Sequence, residues 1–154
     1  AIKYFLLGYT SKMPGTEMGI DQPTSIFSPC FGEPFLVWQP MRYAELLREK
    51  IKEHSPNVWL LNTGWYKGGY GEGERMPLKI TRRIVDLIMS EKILTREFEI
   101  FPNLNLEVPK KLDDDIGEDI LFPNKNWSDE GEYWRRLADL IKLFDEKYKK
   151  IINL

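Results

Sequence analysis

The glycine-rich segment at residues 67–75 contains residue types that could contact a phosphate group. Gly68 and Gly73 have the separation of the glycines in phosphate-binding loops, but Glu74 and Arg75 stand where such loops require Lys and then Ser or Thr. The carboxylates of this segment would also repel a phosphate group. We therefore interpret it as a mobile connection near a ligand. Its spacing alone favours a solvated Arg75 over one that stacks on a planar ring or pairs with an anion.

The single histidine and the single cysteine are the next candidates for chemistry. His54 ends a predicted helix and Cys30 lies in a Pro- and Gly-rich stretch, so the two belong to different elements. A surface position for His54 and a small buried side chain at Cys30 are favoured over a nucleophilic Cys–His pair. One histidine and one cysteine are also too few ligands for a Cys/His zinc site. The acidic residues at 113–119 match no calcium-loop spacing and favour a solvated turn. The residues themselves predict neither a catalytic group nor a metal site.

Composition excludes several classes of protein. The 154 residues carry 22 Lys and Arg against 24 Asp and Glu, and this net charge of -2 argues against non-specific nucleic-acid binding. No apolar run approaches the roughly 20 residues of a membrane span, so we expect no membrane partner. The single cysteine excludes an internal disulfide and is compatible with the cytoplasm, where we expect the protein to function.

The elements that must position these residues follow from hydrophobic periodicity. We expect one α/β domain over residues 1–154, in which helices flank a mixed sheet. Its weakly charged first quarter fits either an ordinary core hairpin or a segment that a larger body precedes, and the strand that begins at once favours the second interpretation. The predicted strands are residues 2–9, 35–38, 97–101 and 104–108, together with a buried central strand at 58–61. The predicted irregular segments are a long loop at 8–34, the loop at 67–75 and the connection at 109–127.

Three helices are predicted, and each has an apolar face. The first runs from Pro40 to about His54 with Ala44, Leu47 and Ile51 on one side. The second covers residues 81–90, with Ile84, Val85 and Ile88 facing inward. The last covers residues 128–152 with Ser128 as its N-cap. Its stripe is too short for a coiled coil and favours packing on its own domain. That stripe consists of Trp134, Leu137, Ile141, Phe144 and Tyr148.

Two longer strings carry the most specific signal. The first comprises Gly8-Tyr9-Thr10-Ser11-Lys12, Gly15-Thr16-Glu17, Gly19, Pro23 and Phe27-Ser28-Pro29-Cys30-Phe31-Gly32. The second is Asn62-Thr63-Gly64-Trp65, followed by the glycine-rich segment and Arg75. In this order and spacing they resemble the C-terminal portion of the ATP-dependent phosphoenolpyruvate carboxykinases. The resemblance extends from residue 4 to residue 109 and continues more loosely through residues 120–123 and Trp127 into the last helix.

The resemblance implies a function and a set of site residues. Members of that family convert oxaloacetate and ATP to phosphoenolpyruvate, ADP and carbon dioxide in gluconeogenesis, with Mg and Mn as divalent cations. Their C-terminal mononucleotide-binding domain holds ATP, and Arg75, Met76 and Thr81 occupy the positions that bind its adenine part. The loop at 11–23 corresponds to the active-site lid, which excludes water when it closes. Its matching residues are Lys12, Gly15, Thr16, Glu17 and Gly19, with Gly15 and Gly19 as candidate hinges.

The resemblance also implies what these residues lack. The phosphate loop, the metal-binding Lys, His and Asp and the oxaloacetate-binding Arg of the family precede the matching region. We therefore expect a parent enzyme whose missing N-terminal part supplies them, and an isolated chain that is inactive and self-associates. Met18, Glu72, Glu74 and residues 122–126 depart from the family pattern.

Two alternatives remain open. The chain could be a complete, non-catalytic module that binds a nucleotide or a protein. Its 20 aromatic residues could instead form an exposed face that recognises sugars or peptides.

Overall fold

A computed structural model describes residues 1–15 and 17–153. These residues group into two compact units, which we describe separately. The first unit contains Ala1–Leu61 and Lys142–Leu154, and the second contains Asn62–Ile141. The α/β class expected from the sequence is confirmed. The predicted mixed sheet is not observed, because the described strands form three separate two-stranded antiparallel sheets.

The first unit begins with a helix rather than the predicted strand at 2–9. Helix α1 (Ile2–Leu7) ends at Gly8, which adopts the left-handed conformation and donates its backbone N–H to the Tyr4 carbonyl. Leu6 and Leu7 are both fully buried although they are adjacent, and Lys3 is the one charged residue of the helix. A six-residue run with a single charged residue is too short to show a period, which is why the pattern could not separate strand from helix.

A β-hairpin replaces most of the long loop predicted at 8–34. Strands β1 (Tyr9–Lys12) and β2 (Thr24–Phe27) pair antiparallel, with Tyr9 opposite Phe27 and Lys12 opposite Thr24. Of the eight Pro and Gly residues that suggested a continuous loop, four lie between these strands and four lie outside them. Tyr9 and Phe27 contact Phe144 with ring-centre distances of 5.2 and 5.9 Å. This aromatic cluster joins the hairpin to the end of the last helix.

Helix α2 (Pro40–His54) has the predicted bounds, and Ala44 is its buried residue. The strands predicted on either side of it are wrong. Two short 3-10 turns (Pro29–Phe31 and Glu33–Phe35) include the first of residues 35–38, and Phe35, Val37 and Trp38 are exposed. Residues 58–61 are irregular, and no strand of the described residues pairs with them. An apolar segment without a neighbouring strand cannot complete its backbone hydrogen bonds as a sheet.

The second unit contains β3 (Trp65–Tyr66), β4 (Glu74–Arg75), α3 (Leu78–Met89), β5 (Phe98–Phe101), β6 (Leu106–Pro109), α4 (Glu118–Leu121) and most of α5 (Glu130–Ile152). The two strands predicted at 97–101 and 104–108 are confirmed as the β5–β6 hairpin. Phe101, Phe122 and Leu137 form a buried core cluster.

Helix α3 begins earlier than predicted and has a different inner face. Ile84 and Leu87 are buried, whereas Val85, which we expected to face inward, is 40% exposed. Ile88, the third residue expected on the inner face, is half-buried.

Helix α5 presents the predicted apolar stripe to the interior. Leu137 and Phe144 are buried, and the other stripe residues are half-buried. Asp129 rather than Ser128 caps the helix, since its Oδ1 accepts a hydrogen bond from the Glu132 backbone N–H at 3.0 Å. Among the helices of the described residues, none has the length and apolar character that crossing a bilayer requires.

Candidate functional site

The glycine-rich segment is the connection of a short hairpin rather than a free loop. Strand β3 pairs antiparallel with β4, so that Trp65 lies opposite Arg75 and Tyr66 lies opposite Glu74. The loop predicted at 67–75 is therefore confined to residues 67–73. Because side chains alternate along a strand, the Trp65–Arg75 pair and the Tyr66–Glu74 pair project from opposite faces of the hairpin.

The backbone of the connection at residues 67–73 packs closely against itself and against Tyr66. Gly73 donates its N–H to the Gly69 carbonyl at 2.7 Å. A Cβ atom at Gly73 would lie 2.4 Å from the Gly68 carbonyl oxygen and 2.5 Å from that of Tyr66. A side chain at this position would thus collide with backbone on two sides. The glycines fix the shape of the hairpin end, which is a role that needs no phosphate.

Arg75 is held on the first face of the hairpin. Its guanidinium carbon lies 5.0 Å from the centre of the Trp65 ring. Its Nε donates a hydrogen bond to the Thr63 carbonyl at 3.1 Å. The Trp65 ring is in turn packed edge-to-face against Tyr70, with 5.5 Å between ring centres and 87° between planes. The solvated arginine favoured by spacing alone is instead an exposed residue whose side chain has defined partners.

The turn at residues 62–64 also holds Met76. The Asn62 side-chain oxygen accepts a hydrogen bond from the Gly64 backbone N–H at 2.9 Å. The Gly64 carbonyl then accepts the Met76 backbone N–H at 2.8 Å. Arg75 and Met76 are therefore both tied to consecutive carbonyl groups of one turn.

The negative charge of Glu74 is paired with two neighbouring side chains on the second face of the hairpin. Its carboxylate accepts hydrogen bonds from the Tyr66 hydroxyl at 2.9 Å and from Lys67 Nζ at 3.3 Å. These bonds lower the pKa of Glu74, with Tyr66 as the larger cause. The bond to Glu74 raises the pKa of Tyr66 and of Lys67. One of the negative charges that argued against phosphate binding by this segment is thus paired within the hairpin.

Glu72, the other carboxylate of the segment, also has a cationic partner. Arg136 Nη2 lies 3.5 Å from its Oε2. The Arg136 guanidinium carbon is also 5.2 Å from the centre of the Trp127 ring. Arg136 also donates two hydrogen bonds to Glu132 Oε1, so Glu72 shares this cation with a second carboxylate and is less fully paired than Glu74.

Thr81, the third residue assigned to the nucleotide by resemblance, lies in the first turn of α3. Its hydroxyl donates a weak hydrogen bond to the Pro77 carbonyl at 3.4 Å, and it is half-buried. A hydroxyl that donates to its own helix keeps acceptor capacity for another group.

The predicted lid residues belong to the first unit. Lys12 ends β1 and forms an ion pair with Glu17. Gly15 and Gly19 have φ values of 78° and 81°, and the space where a Cβ would lie is open at both. Thr16 lies outside the described residues. Gly15 donates its backbone N–H to the Ile20 carbonyl, and Ile20 donates to the Glu17 carbonyl, both at 3.3 Å, so backbone hydrogen bonds as well as the ion pair hold this hairpin connection.

His54 and Cys30 lie in different elements and have different surroundings. His54 is the exposed last residue of α2, as predicted. Cys30 is half-buried rather than buried, has a positive φ of 57° and lies 3.8 Å from the Pro40 carbonyl oxygen. Partial burial raises the pKa of its thiol, which disfavours a nucleophilic thiolate.

Asp113, in the acidic segment that was predicted to be a solvated turn, is largely buried and paired with two arginines. Asp113 accepts hydrogen bonds from Arg83 Nε at 2.6 Å and Arg96 Nη2 at 3.1 Å, and its side chain is 19% exposed. These three residues line an open cleft of about 680 Å³. Sequence reasoning missed this network because its members are far apart in the chain.

Within residues 1–15 and 17–153, no three His, Cys, Asp or Glu side chains cluster as metal ligands.

Comparison with known proteins gives one consistent result. The family model described as phosphoenolpyruvate carboxykinase matches residues 1–116. The chain is 45% identical over 148 residues to phosphoenolpyruvate carboxykinase (ATP) of Kluyveromyces lactis, which covers 95% of the chain and 27% of that protein. The protein of the same name from Candida glabrata is 47% identical with the same coverage. That of Campylobacter lari is 45% identical over 97% of the chain and 28% of its own length.

Proposed function

Because the chain belongs to the ATP-dependent phosphoenolpyruvate carboxykinase family, we propose that it is the C-terminal part of such an enzyme. The parent protein converts oxaloacetate and ATP to phosphoenolpyruvate, ADP and carbon dioxide. The observation that carries this proposal is identity of about 45% across 95% of the chain to proteins of that name. Such a match extends through the hairpin, the lid segment and the last helix, so it is not limited to one motif.

The chain spans about a quarter of the length of the curated relatives it matches. We therefore assign the reaction to a longer polypeptide and propose that its preceding part is the principal partner of these residues. The exposed apolar residues at 35–38 and 58–61 support this assignment. Val37 is 86% exposed and Trp38 69% exposed, and side chains of this kind are expected to lie against another surface. A stand-alone binding module is not favoured by relatives that are so much longer.

The adenine part of ATP is proposed to bind at Arg75, Met76 and Thr81. The planar guanidinium of Arg75 suits stacking on a purine ring and is already held in one place. The Met76 N–H is engaged with Gly64, so its carbonyl oxygen is the backbone group that would accept from the exocyclic amine of adenine. The Thr81 hydroxyl supplies a further acceptor. The pairing of Glu74 with Tyr66 and Lys67 supports this site because it reduces the repulsion that an unpaired carboxylate next to Arg75 would exert.

The segment at 11–23 is proposed to act as a lid over the reacting groups. Its Lys12–Glu17 ion pair is exposed, and the backbone hydrogen bonds of Gly15 to Ile20 and of Ile20 to Glu17 are long at 3.3 Å, so these contacts would oppose opening and closing of the segment only weakly. Gly15 and Gly19 would absorb the change in backbone dihedral angles.

The divalent cations of the family, Mg and Mn, would be held by the preceding part of the parent protein. The described residues offer no cluster of metal ligands that fits them. When bound there, such cations neutralise charge on the transferred phosphoryl group. The present chain would contribute base binding and exclusion of water. A role in gluconeogenesis and a cytoplasmic location belong to the same proposal.

The proposal is tested by the size and activity of the native protein. An antibody raised against this chain should detect a band several times heavier than 18.2 kDa in the source cells. The purified full-length protein should consume oxaloacetate and ATP, whereas the 154 residues alone should not. A band at 18.2 kDa, or a full-length protein without this activity, would overturn the proposal.

A further inference from the structure

The string Asn62-Thr63-Gly64-Trp65 has no role in the proposed function so far. We propose that Asn62 and Trp65 are positioning residues that hold Arg75 and Met76 in the arrangement that binds the adenine ring. This inference rests on the proposed function, because it assumes that Arg75 and Met76 contact the nucleotide. It adds two residues that do not themselves touch the base.

The first step concerns the freedom of Arg75. A long exposed side chain samples many rotamers, and binding is weakened by the entropy lost when one rotamer is selected. In this structure the indole of Trp65 and the Thr63 carbonyl constrain the guanidinium from two directions. The group that would stack on the base is thus preorganised before the nucleotide arrives.

The second step concerns Trp65 itself. Trp65 is the direct cross-strand partner of Arg75, and this register brings their side chains onto one face. Its ring is half-buried and packed edge-to-face on Tyr70, so the indole is a fixed surface rather than a mobile one. Attraction between a cation and an indole face exceeds that for other aromatic side chains. The side chain at this position therefore sets where the guanidinium lies.

The third step concerns Asn62. Its amide oxygen bonds to the Gly64 N–H and closes a tight side-chain turn. The two carbonyls that leave this turn, those of Thr63 and Gly64, are the acceptors for Arg75 Nε and the Met76 N–H. Asn62 is exposed and thus has no part in the core. Its contribution is to orient the acceptors of both base-binding residues.

Nucleotide affinity of the full-length protein tests the inference. Titration calorimetry with ATP should show that Trp65→Leu weakens binding about three- to fivefold, whereas Trp65→Phe keeps an aromatic face and most of the affinity. In an Arg75→Ala background, Trp65→Leu should cause no further loss, because its effect acts through the arginine. In the carboxykinase assay, the loss should appear in the KM for ATP with kcat unchanged.

The Asn62 variants keep the test decisive if Trp65→Leu does not fold. Asn62→Ala should weaken ATP binding by about threefold, and Asn62→Asp, which retains the acceptor oxygen, should restore it. If Arg75→Ala weakens binding while the Trp65 and Asn62 variants match the unmodified protein, the positioning role is wrong and the adenine site stands. If Arg75→Ala has no effect on ATP binding, the adenine site and the positioning role are both wrong.

Discussion

Glu74 and Arg75 are consecutive residues that project from opposite faces of one hairpin. Arg75 lies across from Trp65, and Glu74 lies across from Tyr66. The carboxylate is consequently separated from the guanidinium by the backbone and is paired with Tyr66 and Lys67 on its own face. The two side chains should therefore be separable by mutation, although they are neighbours in the chain.

Arg75→Ala is expected to weaken ATP binding to the full-length protein by about 1–2 kcal/mol, because it removes a charged planar group that contacts the base. Titration calorimetry measures the change. Arg135→Ala is the matched control, since Arg135 is an exposed arginine of α5 and should leave affinity unaltered. Equal affinity for the Arg75 variant and the control would contradict the assigned role.

Glu74→Gln is expected to lower the pKa of Tyr66. The carboxylate accepts the phenolic hydrogen and disfavours phenolate, so its removal should bring the Tyr66 pKa back toward its ordinary value. Because the folded pKa of Tyr66 is raised, its contribution to stability is complete below the unfolded pKa of about 10 and is lost as pH rises through the folded value. Because the Glu74 pKa is lowered, its own contribution is present above the ordinary Glu pKa and is lost as pH falls through the folded value.

The ring carbon resonance of Tyr66, followed by NMR through an alkaline titration, measures this pKa. Glu72→Gln serves as the control because Glu72 pairs with Arg136 rather than with Tyr66. A Tyr66 midpoint that is the same in the Glu74 variant and the unmodified protein would exclude the hydrogen bond as its cause.

Asp113→Asn is expected to destabilise the second unit by about 1–2 kcal/mol, since it leaves two arginines without their shared carboxylate. Native-state hydrogen exchange of the α3 amides reports the free energy of opening. Asp114→Asn is the neighbouring control, because Asp114 is 93% exposed where it pairs with Lys111 and such a pair contributes little. Similar exchange in the two variants would mean that Asp113 is an ordinary surface residue.

Gly73→Ala is expected to open the β3–β4 hairpin, at a cost of about 3 kcal/mol for overpacking against two carbonyl oxygens. Hydrogen exchange of the Met76 amide, which bonds to Gly64, should accelerate. Gly71→Ala provides the comparison, because Gly71 has a positive φ but open space around its Cβ position, so only backbone strain of about 1 kcal/mol is added. Greater exchange in the Gly71 variant would show that the close approach at Gly73 is not what closes the hairpin.

The isolated chain is expected to self-associate through its exposed apolar residues. Sedimentation should show species heavier than 18.2 kDa, and the double variant Phe35→Ser, Val37→Ser should shift them toward the monomer. Both residues are 86% exposed, so the change removes little packing within the chain. Met18→Ser, at a fully exposed position of the lid segment, is the control. A monomer for the unmodified chain would contradict the expectation.

Sequence reasoning succeeded where the pattern was local and long. Helix α2, the two strands β5 and β6 and the stripe of α5 were predicted from local hydrophobic patterns, although the pairing of the two strands was not. The predictions failed at short apolar runs. Residues 2–7 are too short a run to show a period, and residues 58–61 have the pattern of a buried strand although no strand in the described part of the chain pairs with them.

The candidate site was predicted only in part, for a physical reason. The assignment of Arg75, Met76 and Thr81 to the nucleotide was based on the family resemblance, whereas spacing alone favoured a solvated Arg75. The contacts that define the site cross the hairpin or span larger separations, such as Arg75 with Thr63 or Arg136 with Glu72. A linear pattern encodes neither of these contacts, since each depends on how the backbone returns to itself.

The bridge made by Asp113 also bears on the order of folding. Its bonds to Arg83 and Arg96 join residues 30 and 17 positions apart, so each closes a loop that must first lose chain entropy. Hairpins and helical turns form sooner because their contacts are local. The bridge should thus form after the transition state, and its loss should speed unfolding of this unit while leaving its folding rate almost unchanged. Asp113 would then lengthen the lifetime of the native state by slowing unfolding of the second unit.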